Sequence, residues 1–589
     1  MISEYLDRGY VLDEMRRQLA SLQTLQAKVK AKDKQWLAAL KKEGLSPAQL
    51  ADLIAVLKKS VAEVEKDTKH PQGSAFIPSD PLACGMQAGL TEMAKKEEEV
   101  EKNKAPVVRA ADARTRGRRG TAAAAPETSP QLRLKNPVKP APARRGQTRG
   151  LTRGGAFIEG EDPHYALDGI KAKFGALFQK RRRFNDKPAK IATTNKPLTL
   201  FLFGDWGTGL PLAAAVTEQI RKQLVEKMDG STQPHVIHLG DVYYVGEKQE
   251  YIDRMLPFWP VRPAERDAIG SWSLNGNHDM YSGGHAYFDT LLRQKGLIRW
   301  HGDDKGEPSS FFLIENDDWQ VFGLDTSWNI PSLGSAIIGE PTMKDYGGQN
   351  GFLTDSQVRW MARQRNTAKG CIMLTHHQPA SSRSTEDQHA DQAVKLLKEA
   401  GLYSGIDAWI WGHEHRCVVY KPKAGRTTKR LKDAPEFCAC LGHAGVPVTA
   451  KNFEAGSKIP DIKWEEDRFD ASAPIYEGQR VLPFGFARID TSPGSFVFTV
   501  FDYSGAECKS FTATRQAAAP AGTRGTRRSI APAAKKAAKK TAKKAAKKAT
   551  AKTATKAARK AVKKTAARKT AKAAVKAVKK TAKKAAKKR

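Results

Sequence analysis

The chain has 589 residues and a formal net charge of +37, with 40% hydrophobic and 28% charged residues. That length exceeds what one domain usually absorbs, so two or more units are expected, with apolar content enough for a sizeable core. No run approaches about 18 uncharged apolar residues, which excludes a membrane-spanning helix, and the start Met1-Ile2-Ser3-Glu4 lacks the pattern of a signal peptide.

Residues 1–70 predict a helical hairpin. Met15, Leu19, Leu22, Leu25 and Val29, followed by Trp36, Leu37 and Leu40, recur at helical spacing. Gly44-Leu45 breaks the pattern. Ser46-Pro47-Ala48-Gln49 then reads as an N-cap, a first-turn proline and a capping-box glutamine ahead of Leu50, Leu53, Ile54, Leu57, Val61 and Val64. A hairpin with one apolar face and a self-associating pair of helices, hence a homo-oligomer, both fit this pattern.

Residues 71–155 predict a linker. From Lys104 to Gly155 it holds 13 basic and two acidic residues and almost no large apolar side chains, so it is expected to be disordered. Residues 156–195 are expected to form a helical lead-in.

From 196 the texture changes to an α/β pattern. The run Leu198–Phe203 ends in Gly204-Asp205, and Val236–Leu239 ends in Gly240-Asp241. Ser273-Leu274 leads into Asn275-Gly276-Asn277-His278-Asp279, Cys371–Thr375 into His376-His377, and Ala408–Trp411 into Gly412-His413-Glu414-His415. Each short β-type run is followed at once by ligand-type side chains, and helical stretches at 212–228 and 355–366 lie between some of them. One Gly-Asp after a strand is usually only a turn. Five such ends in order bring carboxylate, amide and imidazole donors to one sheet edge, a set that suits Fe, Mn or Zn.

These blocks, Phe203-Gly204-Asp205-Trp206-Gly207, Gly240-Asp241-Val242-Tyr243-Tyr244, Gly276-Asn277-His278-Asp279, His376-His377-Gln378-Pro379 and Gly412-His413-Glu414-His415, resemble the calcineurin-like metallophosphoesterase superfamily and its purple acid phosphatase branch. Two departures from the commoner superfamily pattern favour that branch. Trp206-Gly207 replaces an Asp-x-His ending, and Tyr244 stands three residues after the second aspartate. The resemblance covers residues 196–505 and implies a β-sandwich of mixed sheets flanked by helices.

It also implies two metal ions, Fe(III) with Fe, Mn or Zn. Asp205, Asp241, Tyr244 and His415 would hold the first, with Asp241 bridging. Asn277, His376 and His413 would complete the second. His377 is the alternative to His376, as a ligand or just behind one. His278 would be catalytic, donating to the phosphoryl oxygens or leaving group, while a metal-activated hydroxide hydrolyses the phosphate ester. Asp279 is expected to support its loop, Asp325 to be structural, His285 to line the substrate mouth, and Glu414 to have no catalytic role.

Residues 512–589 predict a disordered tail. From Cys508 to Arg589 there are 30 basic and no acidic residues, so apart from this segment and 104–155 the chain has four more acidic than basic residues. The lysine pairs Lys535 and Lys536, Lys539 and Lys540, Lys543 and Lys544, and Lys547 and Lys548 repeat every four residues, in a composition resembling lysine-alanine linker-histone tails. Such a tail binds DNA or another polyanion through phosphate contacts, without base readout. Six cysteines with one close pair, Cys438 and Cys440, predict reduced thiols. The combined reading is a phosphoesterase tethered to DNA, cytoplasmic and nucleoid-associated in a bacterium. A nucleoid protein with an inactive phosphoesterase domain and a nuclease are the alternatives.

Overall fold

The computed structural model describes residues 8–32, 34, 37, 46–66, 83–87, 180–330, 351–383, 390–454, 458–476 and 479–515. The linker at 104–155 lies outside the described residues. So do the candidate polyanion-binding residues of the tail, Lys535, Lys536, Lys539, Lys540, Lys543, Lys544, Lys547 and Lys548.

Helices α1 (Arg8–Lys30) and α2 (Pro47–Lys66) form the expected hairpin elements. The capping box is made: Gln49 N–H donates to Ser46 Oγ (3.2 Å) and Ser46 N–H to Gln49 Oε1 (2.9 Å). Val11, Met15, Leu22 and Leu25 of α1 close on Leu50, Leu53, Leu57 and Val61 of α2. Trp36 and Leu40 lie outside the described residues.

The expected helical lead-in is corrected over its described part. Residues 180–191 run without regular structure, and Ala192–Thr193 form strand β1. The remainder, 156–179, lies outside the described residues.

The core is a sandwich of two mixed sheets. The first has the order β16-β15-β14-β2-β3-β4, built from β2 (Leu198–Phe203), β3 (Gln233–His238), β4 (Gly270–Ser273), β14 (Gly485–Ser492), β15 (Ser495–Asp502) and β16 (Glu507–Thr514). Its β2, β3 and β4 are parallel. The second has the order β1-β5-β6-β7-β8-β10-β9-β11. It adds β5 (Phe312–Glu315), β6 (Trp319–Gly323), β7 (Gly370–Thr375), β8 (Ala408–Trp411), β9 (Cys417–Tyr420), β10 (Phe437–Leu441) and β11 (Ile462–Glu465). Strands β6, β7, β8 and β10 are parallel.

The two-residue period of a strand explains the layering. Leu198, Leu200 and Leu202 face Ile372, Leu374 and Ile410 across the sandwich. Phe201 and Phe203 face outward onto α3 (Pro211–Glu226), through Val216, Ile220 and Leu224. Met373 and Trp409 face outward onto Trp360 and Met361 of α4 (Asp355–Gln364) and Leu397 of α5 (Asp391–Glu399). Both faces of each central strand are covered, which is why β2, β7 and β8 read as mostly apolar runs.

The folded unit also runs past the expected boundary at 505. Strand β16 pairs with β15 from Ser495 opposite Thr514 to Phe501 opposite Glu507, so the first residues assigned to the tail belong to the sheet. None of the six cysteines is in a disulfide. Among the described residues no helix is long and apolar enough to cross a membrane.

Candidate metal centre

The parallel strands of both sheets end at one edge, and the candidate ligands leave from those ends. Asp205 follows β2, Asp241 follows β3, Asn277 opens the short helix Asn277–Tyr281 after β4, His376 follows β7, and His413 and His415 follow β8. Four of them, Asp205, Asp241, His413 and His415, have φ of 56°, 76°, 74° and 50°. That left-handed region is uncommon for residues with a Cβ and persists where surrounding structure enforces it. Among the described non-glycine residues only Lys32 shares it. The backbone is therefore bent at the positions from which these side chains converge.

Two groups result. Asp205, Asp241 and His415 form one, and Asp241, His376 and His413 the other, with the ligand atoms of each group within 4.8 Å of one another. Asp241 belongs to both. Asn277 Oδ1 joins the second group, 3.0 Å from His376 Nε2 and 2.9 Å from His413 Nδ1. Its orientation is fixed because Asn277 Nδ2 donates to the Tyr281 hydroxyl at 2.8 Å. His376 Nδ1 is held by the Leu239 carbonyl at 2.9 Å, which turns Nε2 toward the group. His377 packs behind the second group: its Nδ1 lies 3.0 Å from Thr326 Oγ1 and its ring 4.8 Å from that of His413.

The tyrosine expectation is corrected. The structure brings Tyr243, not Tyr244, to the first group. Its hydroxyl lies 3.3 Å from Asp205 Oδ1, 3.3 Å from Asp241 Oδ2 and 2.9 Å from His415 Nε2. Tyr244 has its ring 4.7 Å from the Arg254 guanidinium, and its carbonyl holds His278 Nδ1 at 2.7 Å. The physical reason is a buried pair on the next helical segment. The Glu250 carboxylate accepts the N–H groups of Tyr244, Val245 and Glu247, while Arg254 donates to the Tyr243 carbonyl and to Glu250. The pair fixes the backbone so that the first tyrosine turns inward. Neither Tyr243, Glu250 nor Arg254 was reached from sequence, although Glu and Arg four apart on a helix are a visible pairing signal.

Asp279 ties the two carboxylate-bearing loops together. It accepts Asp241 N–H (2.9 Å), Gly276 N–H (2.6 Å) and the Tyr251 hydroxyl. Burial and the nearby Asp241 charge push it up to about 7. Asp325 accepts Ser310 Oγ and the N–H groups of Ser327 and Trp328, a structural arrangement. His285 lies on the loop after the Asn277–Tyr281 helix, with Nε2 donating to the Lys180 carbonyl at 2.6 Å.

The electrostatics fit a cation pair. Asp205 and Asp241 are buried, and within 4.0 Å their described ion-pair partners are histidines, with no lysine or arginine. Burial pushes Asp205 up. Burial also acts to raise Asp241, but the charges of His376, His278 and His413 outweigh it and hold Asp241 well below the usual carboxylate range. Burial pulls His376 down, yet Asp241 and Asp205 raise it to about 9. Such a set of oxygen and nitrogen donors, aimed at one another in a largely buried site, is what hard and borderline metal ions require.

Close backbone approach agrees with this. A Cβ on Gly276 would run into the Asp241 carboxylate, and one on Gly412 would sit 2.7 Å from Asp205 Oδ2. Both positions need glycine so that the donors can crowd.

The tyrosine placement yields a direct expectation. With ferric iron bound, Tyr243→Phe should abolish any visible tyrosinate band, whereas Tyr244→Phe should retain it. The reverse pattern would return the assignment to Tyr244.

Residues 198–417 match the model of the calcineurin-like phosphoesterase family. Among solved structures the chain is similar to a purple acid phosphatase from yellow lupin (Lupinus luteus) seeds, with 13% identity, TM-score 0.36, and coverage of 56% of this chain and 58% of that one. It is also similar to a dimetal phosphatase from Danio rerio, with 14% identity, TM-score 0.34, and coverage of 54% and 99%. The chain thus spans under two thirds of the lupin enzyme.

Proposed function

We propose that this chain, which carries a calcineurin-like phosphoesterase domain over residues 198–417, is a dinuclear metal-dependent phosphoesterase tethered to DNA or another polyanion by its basic tail. The observation that carries the reading is the pair of three-residue ligand groups sharing Asp241. Asp205, Asp241, His415 and Tyr243 would hold one ion, and Asp241, Asn277, His376 and His413 the other. Fe(III) with Fe, Mn or Zn suits this donor set. Two ions there would neutralise charge on the phosphoryl oxygens and lower the pKa of a water far enough to serve near neutrality.

The protein's own groups then orient and move protons. His278 stands beside the shared carboxylate, its backbone N–H donating to Asp241 Oδ1 at 3.0 Å. The Tyr244 carbonyl accepts a hydrogen bond from His278 Nδ1–H, leaving Nε2 as the nitrogen that gains and loses a proton. Burial holds this imidazole below the usual histidine range, which favours its neutral form. An anionic substrate beside it favours the protonated form, from which Nε2 would donate to a leaving oxygen. His278→Ala should lower turnover by about 100-fold, the low end for a general acid, with metal content unchanged. Loss of metal in that variant would place His278 among the ligands instead.

Retention of every donor type in both groups disfavours an inactive nucleoid protein. The lysine-rich tail supports a cytoplasmic, nucleoid-associated role, through phosphate contacts that weaken with salt. For the N-terminal helices, whose apolar faces close on one another, a hairpin is preferred to a self-association surface. Metal analysis with visible spectroscopy on the purified chain, followed by assays on a model monoester and a model diester, tests the enzymatic reading. Two metals per chain and hydrolysis of either ester are expected. A metal-free protein that cleaves neither ester overturns it.

A further inference from the structure

We propose that Lys180-Arg181-Arg182-Arg183 is a substrate-binding strap at the mouth of the metal centre. It takes substrates whose scissile phosphate is flanked by further phosphates, as in a nucleic-acid strand or a linear polyphosphate. The proposal rests on the phosphoesterase reading and names its substrate class.

The strap is held by two segments, one that follows Asn277 in sequence and one that bonds to Asn275. On one side, Arg182 N–H donates to the Gly283 carbonyl (2.8 Å), and the Lys180 carbonyl accepts from His285. Gly283 lies just past Tyr281, the residue that orients the Asn277 amide. On the other side, Trp328 Nε1 donates to the Arg182 carbonyl (2.9 Å), and Arg181 donates to the Asn329 carbonyl (3.0 Å) with its guanidinium 4.5 Å over the Trp328 ring. Trp328 adjoins Ser327, whose Oγ donates to the Asn275 carbonyl at 2.9 Å. Buried Phe184 closes the strap against Phe311 and Trp328.

The charges divide by task. Arg181 is used on carbonyls, and Arg182 pairs with Asp289 at 3.0 Å. Lys180 and Arg183 are exposed, and among the described residues neither has a carboxylate within 4.0 Å. Arg181 and Arg182 are accounted for by these contacts, whereas Lys180 and Arg183 add like charge beside them that the fold does not use. An anion reaching past the metal centre supplies what is missing. A lone phosphoryl group is satisfied by the ions, whereas flanking phosphates require charge at the rim. The strap offers no uncovered aromatic face, so it contacts backbone phosphate without reading bases.

The test uses the full chain and Lys180→Glu/Arg183→Glu, which alters exposed side chains away from the ligand groups. Small nitrophenyl mono- and diesters are compared with a short oligonucleotide and with linear polyphosphate. For the chain substrate kcat/KM should fall at least about tenfold and its salt dependence weaken by up to about two in logarithmic slope, since two phosphate contacts are lost. The nitrophenyl esters should stay within about twofold, as expected for a change outside the reacting site. Which of the two chain substrates responds identifies the source of the phosphates. An equal fall for small and chain substrates, or no change for either, overturns the proposal. If the wild type hydrolyses nothing, the phosphoesterase reading fails and the strap is judged by photocrosslinking to a bromouracil oligonucleotide. Labelling of the peptide around 180–184 that disappears in the variant upholds it, and labelling confined to linker and tail overturns it.

Discussion

Asp241→Asn should reduce bound metal from two ions per chain to one or none and cut phosphoester turnover by at least about 1,000-fold, roughly 4 kcal/mol of transition-state stabilisation. The size of the effect follows from how many tasks one side chain has. Asp241 is the member common to both ligand groups. Its Oδ1 accepts the His278 N–H, and its Oδ2 lies 3.4 Å from His376 Nε2 and 3.3 Å from the Tyr243 hydroxyl. Asparagine keeps the shape but removes the charge and turns one acceptor into a donor. Whichever way the amide is oriented, an N–H group meets either the His278 N–H or a site needing a metal ligand. Asp205→Asn is the comparison, because Asp205 belongs to one group only and should cost one ion. Elemental analysis of both variants, with circular dichroism to verify folding, separates the outcomes. An Asp241→Asn protein that keeps two ions and a tenth of its activity would remove the bridging role.

The donors were legible because each strand announces its own end. Leu198–Phe203 is apolar but for Thr199 since both of its faces are covered, and the first polar residue after its glycine has nowhere to go but the sheet edge. The same holds for Asp241, His376 and His413. Spacing could not decide which of two adjacent tyrosines turns inward. That choice is made by Glu250 and Arg254 capturing the peptide groups around Tyr243 and Tyr244, a tertiary contact made from a separate helical segment. Strand β16 escaped for a different reason. It is an edge strand with Phe511 as its one buried residue, so its polar sequence reads as the start of the tail. The stretch 180–191 reads as part of a helical lead-in, but its conformation comes from long-range bonds to Gly283 and Trp328.

The second large effect is on stability, and it appears on acidification. His301 and His235 are buried and neutral, and both serve as acceptors on β4. His301 Nε2 accepts Ser273 N–H at 2.9 Å while its Nδ1 donates to the Ser309 carbonyl, and His235 Nδ1 accepts Trp272 Nε1–H at 3.1 Å. Burial lowers His301 to about 4 and His235 to about 3. In the unfolded chain each titrates near 6.5, so the unfolded state takes up protons first as pH falls. Stability is therefore unaffected above about 6.5 and lost progressively below it, until the folded-state values are reached. At pH 5 the loss is on the order of 2 kcal/mol for each histidine, and protonation also removes a bond that holds β4, the strand leading into Asn277. Urea midpoints of the metal-loaded protein should thus fall sharply between about pH 7.5 and pH 5. His238 and His443 are buried and lowered in the same way, to about 3 and about 4, so four imidazoles share this pH dependence. His301→Gln keeps an acceptor for Ser273 and a donor for Ser309 but cannot titrate, so it should lose about a quarter of that pH dependence. Comparing it with the wild type isolates this imidazole from the carboxylates that titrate lower down. Equal pH dependence in the two proteins would show that His301 is not the group through which acid reaches the fold.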